Sequence, residues 1–281
     1  MWDSELGDVD DVIDRALRED LAAGDVTARA MVPRDATASA QLVAKGETVV
    51  CGLTVAAAVF VRLDPDARWR PLRRDGESVA RGTVLAEVEG NARALLAAER
   101  TALNLVQRMC GIAATARRYA EAAGGRCRVT DTRKTMPGLR ALDRYAVRTG
   151  GAHNHRNDLG AGVLIKENHI RCAGGIAPAI LAARAHAPHG MRIECEVTNL
   201  VEVDQALAAG CDAILLDNMD DATIAAAVAR IAGRAIIEVS GNVELERVPK
   251  LSTLGIDLVS VGALTHSVRA ADVSLLFEIR T

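Results

Sequence analysis

IECEVTNLVEVDQALAAGCDAILLDNMDDATIAAAVARIAGRAIIEVSGN, residues 193–242, is the stretch that decides the fold. Short apolar runs alternate in it with segments of helical spacing, most of which end near glycine. The same alternation extends from residue 126 onward and gives six candidate strands: CRVTDT (127–132), VLIKEN (163–168), IECEV (193–197), AILLDN (213–218), AIIEVSG (235–241) and LVSVGAL (258–264). Alternating strands and helices predict a parallel sheet that is buried on both faces.

Charged, polar or glycine residues stand at the carboxyl ends of all six candidate strands. They are Arg133, Lys134, Lys166, Glu196, Asp217, Ser240, Gly241, Asn242 and Gly262. In (β/α) barrels the active site lies at this end of the strands, whereas an open doubly wound sheet gathers its ligand contacts at one switch point. We therefore expect an α/β fold with a parallel barrel, and six strands instead of eight predict an irregular or incomplete one.

The preceding part of the chain has a different texture. Residues 8–18 have helical spacing with Asp8 as a candidate N-cap, and residues 19–28 are expected to form a loop. Residues 37–89 consist of short, often β-branched runs separated by turns, which predicts a small sheet domain. Within it, DGESVARGTVLAEVEG (75–90) has the pattern of a hairpin, with glycine at its corners.

Residues 91–123 predict a long helix, in which Gly111 marks a break or a close helix contact. On pattern alone, Arg100 in this helix is a surface residue paired with Glu99 or Asn104.

Composition excludes several classes of protein. With 49% hydrophobic residues in 281, the chain can bury a large core, but only 2% are aromatic, too few for base-stacking surfaces. A net charge of −3 also argues against nucleic-acid binding. No apolar run approaches the ~20 residues that cross a bilayer, and the acidic N-terminus does not resemble a signal peptide. Six scattered cysteines without CxxC spacing indicate free thiols and a cytoplasmic protein.

A basic cluster lies between Asp131 and Arg171, where eight Lys and Arg residues face four Asp and Glu. A run of charged residues usually forms a solvated surface. Here the cations are interleaved with apolar runs and glycine pairs, which favours a site for a small polyanion. Arg133, Arg156 and Lys166, with His155, would bind planar carboxylates on a ligand.

Two further groups complete the predicted site. Glu196 and Asp217 are candidate ligands of Mg²⁺, which would in turn hold phosphate oxygens. The turns at 240–242 and 261–264 are candidate phosphate cradles, although glycine loops of this kind occur in many barrels.

Simpler readings of the same residues remain open. Of Glu194 and Glu196, we expect only one to face the centre of the barrel and the other to point outward. Lys166 could alternatively form a Schiff base, as aldolase lysines on barrel strands do. His169 and His266 are expected to be ordinary hydrogen-bonded polar residues.

Several motifs together closely resemble the quinolinate phosphoribosyltransferase family, the nicotinate-nucleotide pyrophosphorylases (carboxylating). They are REDLAAGDVT (18–27), AERTALNLVQRMCGIA (98–113), DTRKTMPGLR (131–140), YAVRTGGAHNHR (145–156), LIKENHI (164–170), ILLDNM (214–219), EVSGNV (238–243) and SVGALTHSV (260–268). They cover nearly the whole chain in order. Departures from the family pattern are Asp158 and Gly162 within NHRNDLGAG (154–162), Thr198-Asn199 and Cys110, none of them at a charged ligand position.

The resemblance implies an N-terminal α/β sandwich domain over residues 1–109, joined by 267–281, and an incomplete α/β barrel over 110–266. It implies a pentosyltransferase of de novo NAD biosynthesis that converts quinolinate and phosphoribosyl pyrophosphate to nicotinate mononucleotide, pyrophosphate and CO₂ with Mg²⁺. The partners it implies are these small molecules and a second copy of the chain, in a homodimer or a larger assembly, with neither nucleic acid nor membrane.

The resemblance also implies a role for each matching residue. Quinolinate would be bound by Arg133, His155, Arg156 and Lys166, and by Arg100 from the neighbouring subunit, which replaces the surface reading of Arg100. Lys134 would contact phosphoribosyl pyrophosphate, and Glu196 and Asp217 would serve Mg²⁺ and the ribose hydroxyls. The 5′-phosphate would be held by Ser240, Gly241, Asn242, Gly262 and Ala263.

Three rival functions remain. A paralogue encoded with molybdate transporters shares the fold and some motifs, but an intact NHR and LIKENH would not be expected in it. A Schiff-base aldolase would use Lys166, and a binding protein for phosphorylated ligands would bind without turnover.

Overall fold

The computed structural model describes residues 9–280, so the candidate N-cap Asp8 lies outside the described residues. The chain divides into two compact units. The first comprises the described residues up to Arg117 together with Thr135–Gly151 and the residues from Leu264 on, and the second comprises Arg118–Lys134 and Ala152–Ala263. The predicted domain division, 1–109 with 267–281 against 110–266, stays a prediction.

The strands of the described chain are β1 (Thr37–Ala44), β2 (Thr48–Val49), β3 (Arg68–Pro71), β4 (Ser78–Val79), β5 (Val84–Asn91), β6 (Arg128–Thr130), β7 (Val163–Ile165), β8 (Ile193–Val197), β9 (Ala213–Asp217), β10 (Ile236–Ser240), β11 (Leu258–Ser260) and β12 (Val273–Arg280). Its α-helices are α1 (Val9–Asp20), α2 (Val26–Met31), α3 (Leu53–Leu63), α4 (Ala92–Ala123), α5 (Arg140–Thr149), α6 (Glu167–Ala173), α7 (Ile176–His186), α8 (Leu200–Ala208), α9 (Asp221–Ile231), α10 (Val248–Leu251) and α11 (Ala263–His266), and a 3₁₀ turn at Leu245–Arg247 precedes α10. None of these helices is both long and apolar enough to span a bilayer.

The first unit contains the predicted small sheet. Its four strands are antiparallel in the order β12-β1-β5-β3, and β1 alternates exposed and buried residues before its fully buried end. The predicted hairpin at 75–90 is wrong, because β4 pairs with β2 and β5 pairs with β1 and β3. Its two glycine corners do exist as turns: Gly76 and Gly82 have φ of +91° and +87°.

Two helices of this unit were not expected. The predicted loop at 19–28 contains the start of α2, whose N-terminus is capped by Asp25 through a 2.8 Å bond from the Ala28 N–H. Within the predicted sheet segment, α3 forms from the apolar run Leu53–Leu63. The Asp75 carboxylate accepts the N–H groups of Gly52 (2.7 Å) and Leu53 (3.3 Å) at its start. The residue expected to turn a hairpin therefore caps a helix that is distant in sequence.

The long helix α4 is continuous through Gly111, so the predicted break is wrong and the predicted close contact is present. A Cβ at this position would lie 2.3 Å from the carbonyl oxygen of Arg269, in the segment after α11. The glycine is needed because only a hydrogen atom fits between the two backbones.

The second unit contains the predicted incomplete α/β barrel. Its six strands are all parallel, in the order β6-β11-β10-β9-β8-β7. Within the described chain, β6 and β7 are the end strands of this sheet, so the ring is open between them. A single bridge joins His153 to Thr130 at the end of β6. Because the strands are parallel, their carboxyl ends lie on one rim.

Candidate active site

The rim of the parallel sheet carries the residues that the sequence placed there. Asp217 and Ser240 end β9 and β10, and Glu196 is the penultimate residue of β8. Lys166 directly follows β7, and the remaining predicted residues of the rim follow β6, β10 and β11: Arg133, Lys134, Gly241, Asn242, Gly262 and Ala263. Predicted cations and predicted acids therefore share one edge of one unit. Their roles as ligands stay predictions.

Arg100 is the one predicted site residue on the first unit. It lies on α4 and is exposed to solvent. Burial raises the pKa of the neighbouring Glu99 carboxyl, and the positive charge of Arg100 opposes that rise. Adjacent residues act on each other in this way without forming an ion pair, so the pairing inferred from the pattern stays a prediction.

Both glutamates of β8 face the same side of the sheet, so the expectation that one of them points outward is wrong. Side chains repeat every two residues along a strand, which places Glu194 and Glu196 on one face. The pairing of β8, β9 and β10 aligns Glu196 with Leu215 and Leu215 with Glu238. Three acidic side chains therefore project to the same face.

Lys166 and Glu196 form an ion pair on the rim. The Lys166 Nζ lies 2.5 Å from Oε2 of Glu196, and the lysine side chain is 47% exposed. At the start of α6, the Lys166 N–H donates to Nδ1 of His169 at 2.9 Å, so His169 is the ordinary polar residue that was expected. His266 likewise bonds Ser267, at 2.6 Å. The amino group of Lys166 is therefore engaged by a carboxylate, as expected for a charged group of the rim and not specifically for a Schiff-base lysine.

A buried polar cluster lies below this pair, inside the sheet. The imidazole Nε2 of His155 is 3.1 Å from Oε2 of Glu238 and 3.5 Å from Oε2 of Glu194. Ser260 donates its hydroxyl to the other oxygen of Glu238. Glu238 and Ser260 are only 2% and 4% exposed. Sequence reasoning missed both residues, although a glutamate inside the apolar run AIIEVSG was the available signal.

The proton on His155 Nε2 is fixed by contacts on both sides of the ring. Hydrogen bonds to Glu194 and Glu238 raise the pKa of His155 to about 10. On the other side, the Arg156 N–H donates to Nδ1 at 2.8 Å, which Nδ1 accepts only while it carries no proton, so this bond opposes full protonation. Whether the His155 ring is neutral or positively charged, its Nε2 carries a proton directed at the two carboxylates.

The cluster has the donor set of a metal site but not its hydrogen bonding. A nitrogen and two carboxylate oxygens lie within 4.8 Å of one another. A metal-bound histidine donates its other ring N–H to a neighbour, whereas Nδ1 of His155 accepts one. Since the proton occupies Nε2, we assign the cluster as a hydrogen-bonded triad.

Arg133 and Arg156 form the cationic part of the rim. Burial lowers the pKa of Arg156, the charge of Arg133 lowers it further, and Glu194 and Asp158 oppose both effects. An anion bound beside both guanidinium groups would offset the effect of the Arg133 charge on Arg156. The Arg156 Nη1 also donates to the Gly162 carbonyl at 2.8 Å, so a residue that departs from the family pattern fixes this side chain.

Asp131, which is fully buried, supports the segment that carries His155. Its carboxylate accepts the His155 N–H at 2.7 Å and the Asn154 side-chain amide at 2.6 Å. Asp131 and Asn154 stand inside the quoted motifs but were not predicted as site residues. Their contribution arises from pairing across 23 or 24 residues, which a local pattern does not reveal.

Asn218 joins the ends of β9 and β10 and was also missed. Its amide donates to Asp217 at 2.7 Å, and its Oδ1 accepts from the Asn242 side chain at 3.1 Å. Gly241 has φ of +91°, and a Cβ on it would lie 2.4 Å from Oδ1 of Asn218. The predicted phosphate turn is therefore packed against Asn218, which in turn donates to the predicted metal ligand Asp217.

Known proteins resemble this chain over nearly its full length. The family model for the quinolinate phosphoribosyl transferase N-terminal domain matches residues 25–110, and the model for the C-terminal domain matches residues 112–276. A nicotinate-nucleotide pyrophosphorylase [carboxylating] from Mycobacterium leprae is 42% identical, covering 97% of this chain and 98% of the relative. The chloroplastic enzyme of the same name from Arabidopsis thaliana is 41% identical over 96% of this chain and 83% of its own.

Solved structures agree with the sequence relatives. The crystal structure of NadC from Streptococcus pyogenes superposes with a TM-score of 0.93 at 40% identity, covering 97% of both chains. With both family models matched and relatives above 40% identity over almost all of the chain, this protein belongs to the quinolinate phosphoribosyltransferase family.

Proposed function

We propose that this chain transfers the phosphoribosyl group of phosphoribosyl pyrophosphate to quinolinate, with loss of CO₂, to give nicotinate mononucleotide and pyrophosphate. The observation that carries the proposal is the single rim on which the cations Arg133, Arg156 and Lys166 adjoin the acids Glu196 and Asp217. A dicarboxylate and a sugar pyrophosphate need these two kinds of group side by side. The reaction belongs to NAD biosynthesis.

Quinolinate binding falls to the cationic side of the rim. The mutual effect of Arg133 and Arg156 supports a shared role, because a planar carboxylate between two guanidinium forks offsets their repulsion. Lys166 brings a third charge to the same edge. His155 was predicted to bind quinolinate directly, but its ring nitrogens already face Glu238 and the Arg156 N–H.

Glu196 and Asp217 fit a magnesium site. Both offer carboxylate oxygens, the ligands that Mg²⁺ prefers, and one or two carboxylates with substrate phosphates are its usual shell. When bound, Mg²⁺ would neutralise charge on the pyrophosphate. Glu196 is paired with Lys166, so metal binding would draw this carboxylate from the lysine and leave the ammonium to a substrate carboxylate.

The transfer step separates charge, and the chain supplies groups for both signs. The bond that breaks joins C1 of the ribose to the pyrophosphate oxygen, and the ring nitrogen of quinolinate bonds to C1 in its place. Positive charge then develops on the sugar, where Glu196 and Asp217 would stabilise it. Negative charge develops on the pyrophosphate, where Lys134 would stabilise it. The 5′-phosphate would be anchored at the ends of β10 and β11 by Ser240, Gly241, Asn242, Gly262 and Ala263.

Decarboxylation makes a different demand on the site. Loss of CO₂ from the pyridinium leaves a carbanion next to the ring nitrogen, whose positive charge stabilises it. Cations must hold the substrate without over-stabilising the departing carboxylate. We therefore assign Arg133 and Lys166 to both binding and turnover.

We further propose a cytoplasmic homodimer in which Arg100 of one subunit completes the site of its neighbour. Mixing two inactive variants, Arg100→Ala and Lys166→Ala, tests the shared site. Mixed dimers would contain one intact site, so about a quarter of wild-type activity returns if subunits exchange randomly. No recovery after confirmed exchange would contradict the shared site.

The decisive experiment is an assay of quinolinate-dependent pyrophosphate release with and without Mg²⁺. We expect release only with both substrates and Mg²⁺, and chromatography should identify nicotinate mononucleotide as the product. Binding of phosphoribosyl pyrophosphate without turnover would instead support a binding protein. Turnover without nicotinate mononucleotide would support the paralogue.

A further inference from the structure

Glu194, Glu238 and Ser260 lie where a substrate is not expected to touch them. Glu194 and Glu238 lie within β8 and β10, and Ser260 is the last residue of β11. All three residues are at least nine-tenths buried. Their side chains converge on one another and on the half-buried ring of His155. The hydrogen bonds that connect them to the rim pass through that ring.

The two glutamates differ in their contacts and in the direction in which their pKa values are shifted. Burial raises the pKa of Glu194, and the charge of Glu238 adds to that rise while His155 opposes it. Burial acts in the same direction on Glu238, but its bonds to His155 and Ser260 outweigh burial and lower the pKa of Glu238. The distances give the same order: Oε2 of Glu238 lies 3.1 Å from Nε2 of His155 and Oε2 of Glu194 lies 3.5 Å from it, so Glu238 is the principal acceptor of the His155 N–H.

A chain of hydrogen bonds leads from this carboxylate to the rim. Glu238 accepts from Nε2 of His155, and Nδ1 of the same ring accepts the Arg156 N–H at 2.8 Å. Asp131 holds the backbone on the other side of the ring through the His155 N–H. The guanidinium of Arg156 is in turn fixed by the Gly162 carbonyl.

We propose that Glu238, supported by Ser260 and Glu194, is a positioning residue that orients the His155 ring and, through it, the Arg156 backbone and side chain for binding a carboxylate of quinolinate. This inference rests on the proposed function. It assigns the buried acids to substrate affinity, whereas the partly exposed acids Glu196 and Asp217 serve the pyrophosphate donor.

Three variants test the assignment. Glu238→Gln removes the charge that orients the ring, and we expect the KM for quinolinate to rise about 10-fold or more while the KM for phosphoribosyl pyrophosphate changes less than about 2-fold. Glu194→Gln changes the more distant acceptor, 3.5 Å from Nε2, and leaves Glu238 in place, so both KM values should stay within about 3-fold of wild type.

Asp212→Asn is the matched control. Asp212 accepts the Ile193 N–H at 2.7 Å and pairs with Arg184, at the amino end of β8, away from the rim. This variant should lower Tm and leave both KM values unchanged. An unchanged quinolinate KM in Glu238→Gln, or equal rises for both substrates, would overturn the proposal.

A measurement on the wild-type chain does not depend on activity. Nitrogen-15 spectra of the six histidines, with His155→Asn to assign the ring, should show a proton on Nε2 of His155 both below and above its pKa of about 10, and none on Nδ1 above it. A neutral ring with its proton on Nδ1 instead of Nε2 would contradict the hydrogen-bond chain. A wild-type protein that releases no pyrophosphate but gives the expected spectrum would refute the proposed function alone.

Discussion

The amino group of Lys166 lies 2.5 Å from Oε2 of Glu196, which joins a predicted quinolinate ligand to a predicted metal ligand. Neither residue is deeply buried, since the lysine side chain is 47% exposed and the glutamate 17%. An exposed pair of this kind contributes little to stability, so its position on the rim points to function.

Lys166→Met should separate activity from stability. We expect kcat/KM for quinolinate to fall roughly 10- to 100-fold through loss of a charge-assisted bond. The free energy of unfolding should change by less than about 1 kcal/mol, because the pair is solvent-accessible. Steady-state kinetics and urea denaturation measure the two quantities. A fully active variant would remove Lys166 from the site.

Gly241→Ala should weaken binding of phosphoribosyl pyrophosphate. Gly241 has φ of +91°, and its new Cβ would lie 2.4 Å from the Asn218 side chain, which contacts Asp217 and Asn242. Gly255 is the control, because its φ is +81° but the nearest atom to a Cβ, on Val228, is 3.5 Å away. Both variants should lose about 1 kcal/mol of stability from backbone strain. Only Gly241→Ala should raise the KM for phosphoribosyl pyrophosphate, and equal KM values in the two variants would count against the phosphate turn.

Gly111→Ala should destabilise the first unit by about 1–3 kcal/mol, since the added methyl meets a backbone oxygen at 2.3 Å that a rotamer change does not move. Gly46→Ala provides the comparison, because no atom lies within 4 Å of its Cβ position. Thermal and urea unfolding of both variants check the difference. Similar stabilities would show that α4 and the segment after α11 separate at little cost.

Asp143→Ala should be the most destabilising of these changes. Its fully buried carboxylate accepts two bonds from Arg108, at 2.8 and 2.7 Å, and the Met136 N–H at 3.1 Å. Removing one partner of a buried pair costs about 3–5 kcal/mol, because the remaining charge is left without compensation.

Asp14→Ala is the corresponding exposed change. Asp14 pairs with Arg62 at 2.6 Å, and its side chain is 42% exposed. The expected loss is below about 1 kcal/mol. Urea denaturation of both variants would contradict this ranking if Asp14→Ala were the less stable protein.

The parallel sheet and its rim were predictable because the signals are local. Each strand is a short apolar run followed at once by its polar residue, so Lys166 and Asp217 could be placed from neighbouring sequence. The helix α3 was not predictable in this way. Its run of Val and Ala fits a strand as well as a helix, and the residue that caps it, Asp75, comes 22 positions later.

The interior of the site escaped prediction for a similar reason. Glu238 and His155 are 83 residues apart, and their contact arises only when the strands assemble. The orientation of Glu194 was within reach, because the period of two along a strand already places it on the same face as Glu196. The departures from the family pattern also proved interpretable: Asn199 caps α8, and Cys110 accepts the buried Cys51 N–H.

The antiparallel pairing of β12 with β1 sets an order on folding during synthesis. Thr37 and its neighbours leave the ribosome more than two hundred residues before the strand opposite them, which begins at Val273. Until then β1 has an open edge, and such edges recruit other strands. The last of the six parallel strands ends at Ser260. The parallel sheet can therefore form while the antiparallel sheet still lacks β12.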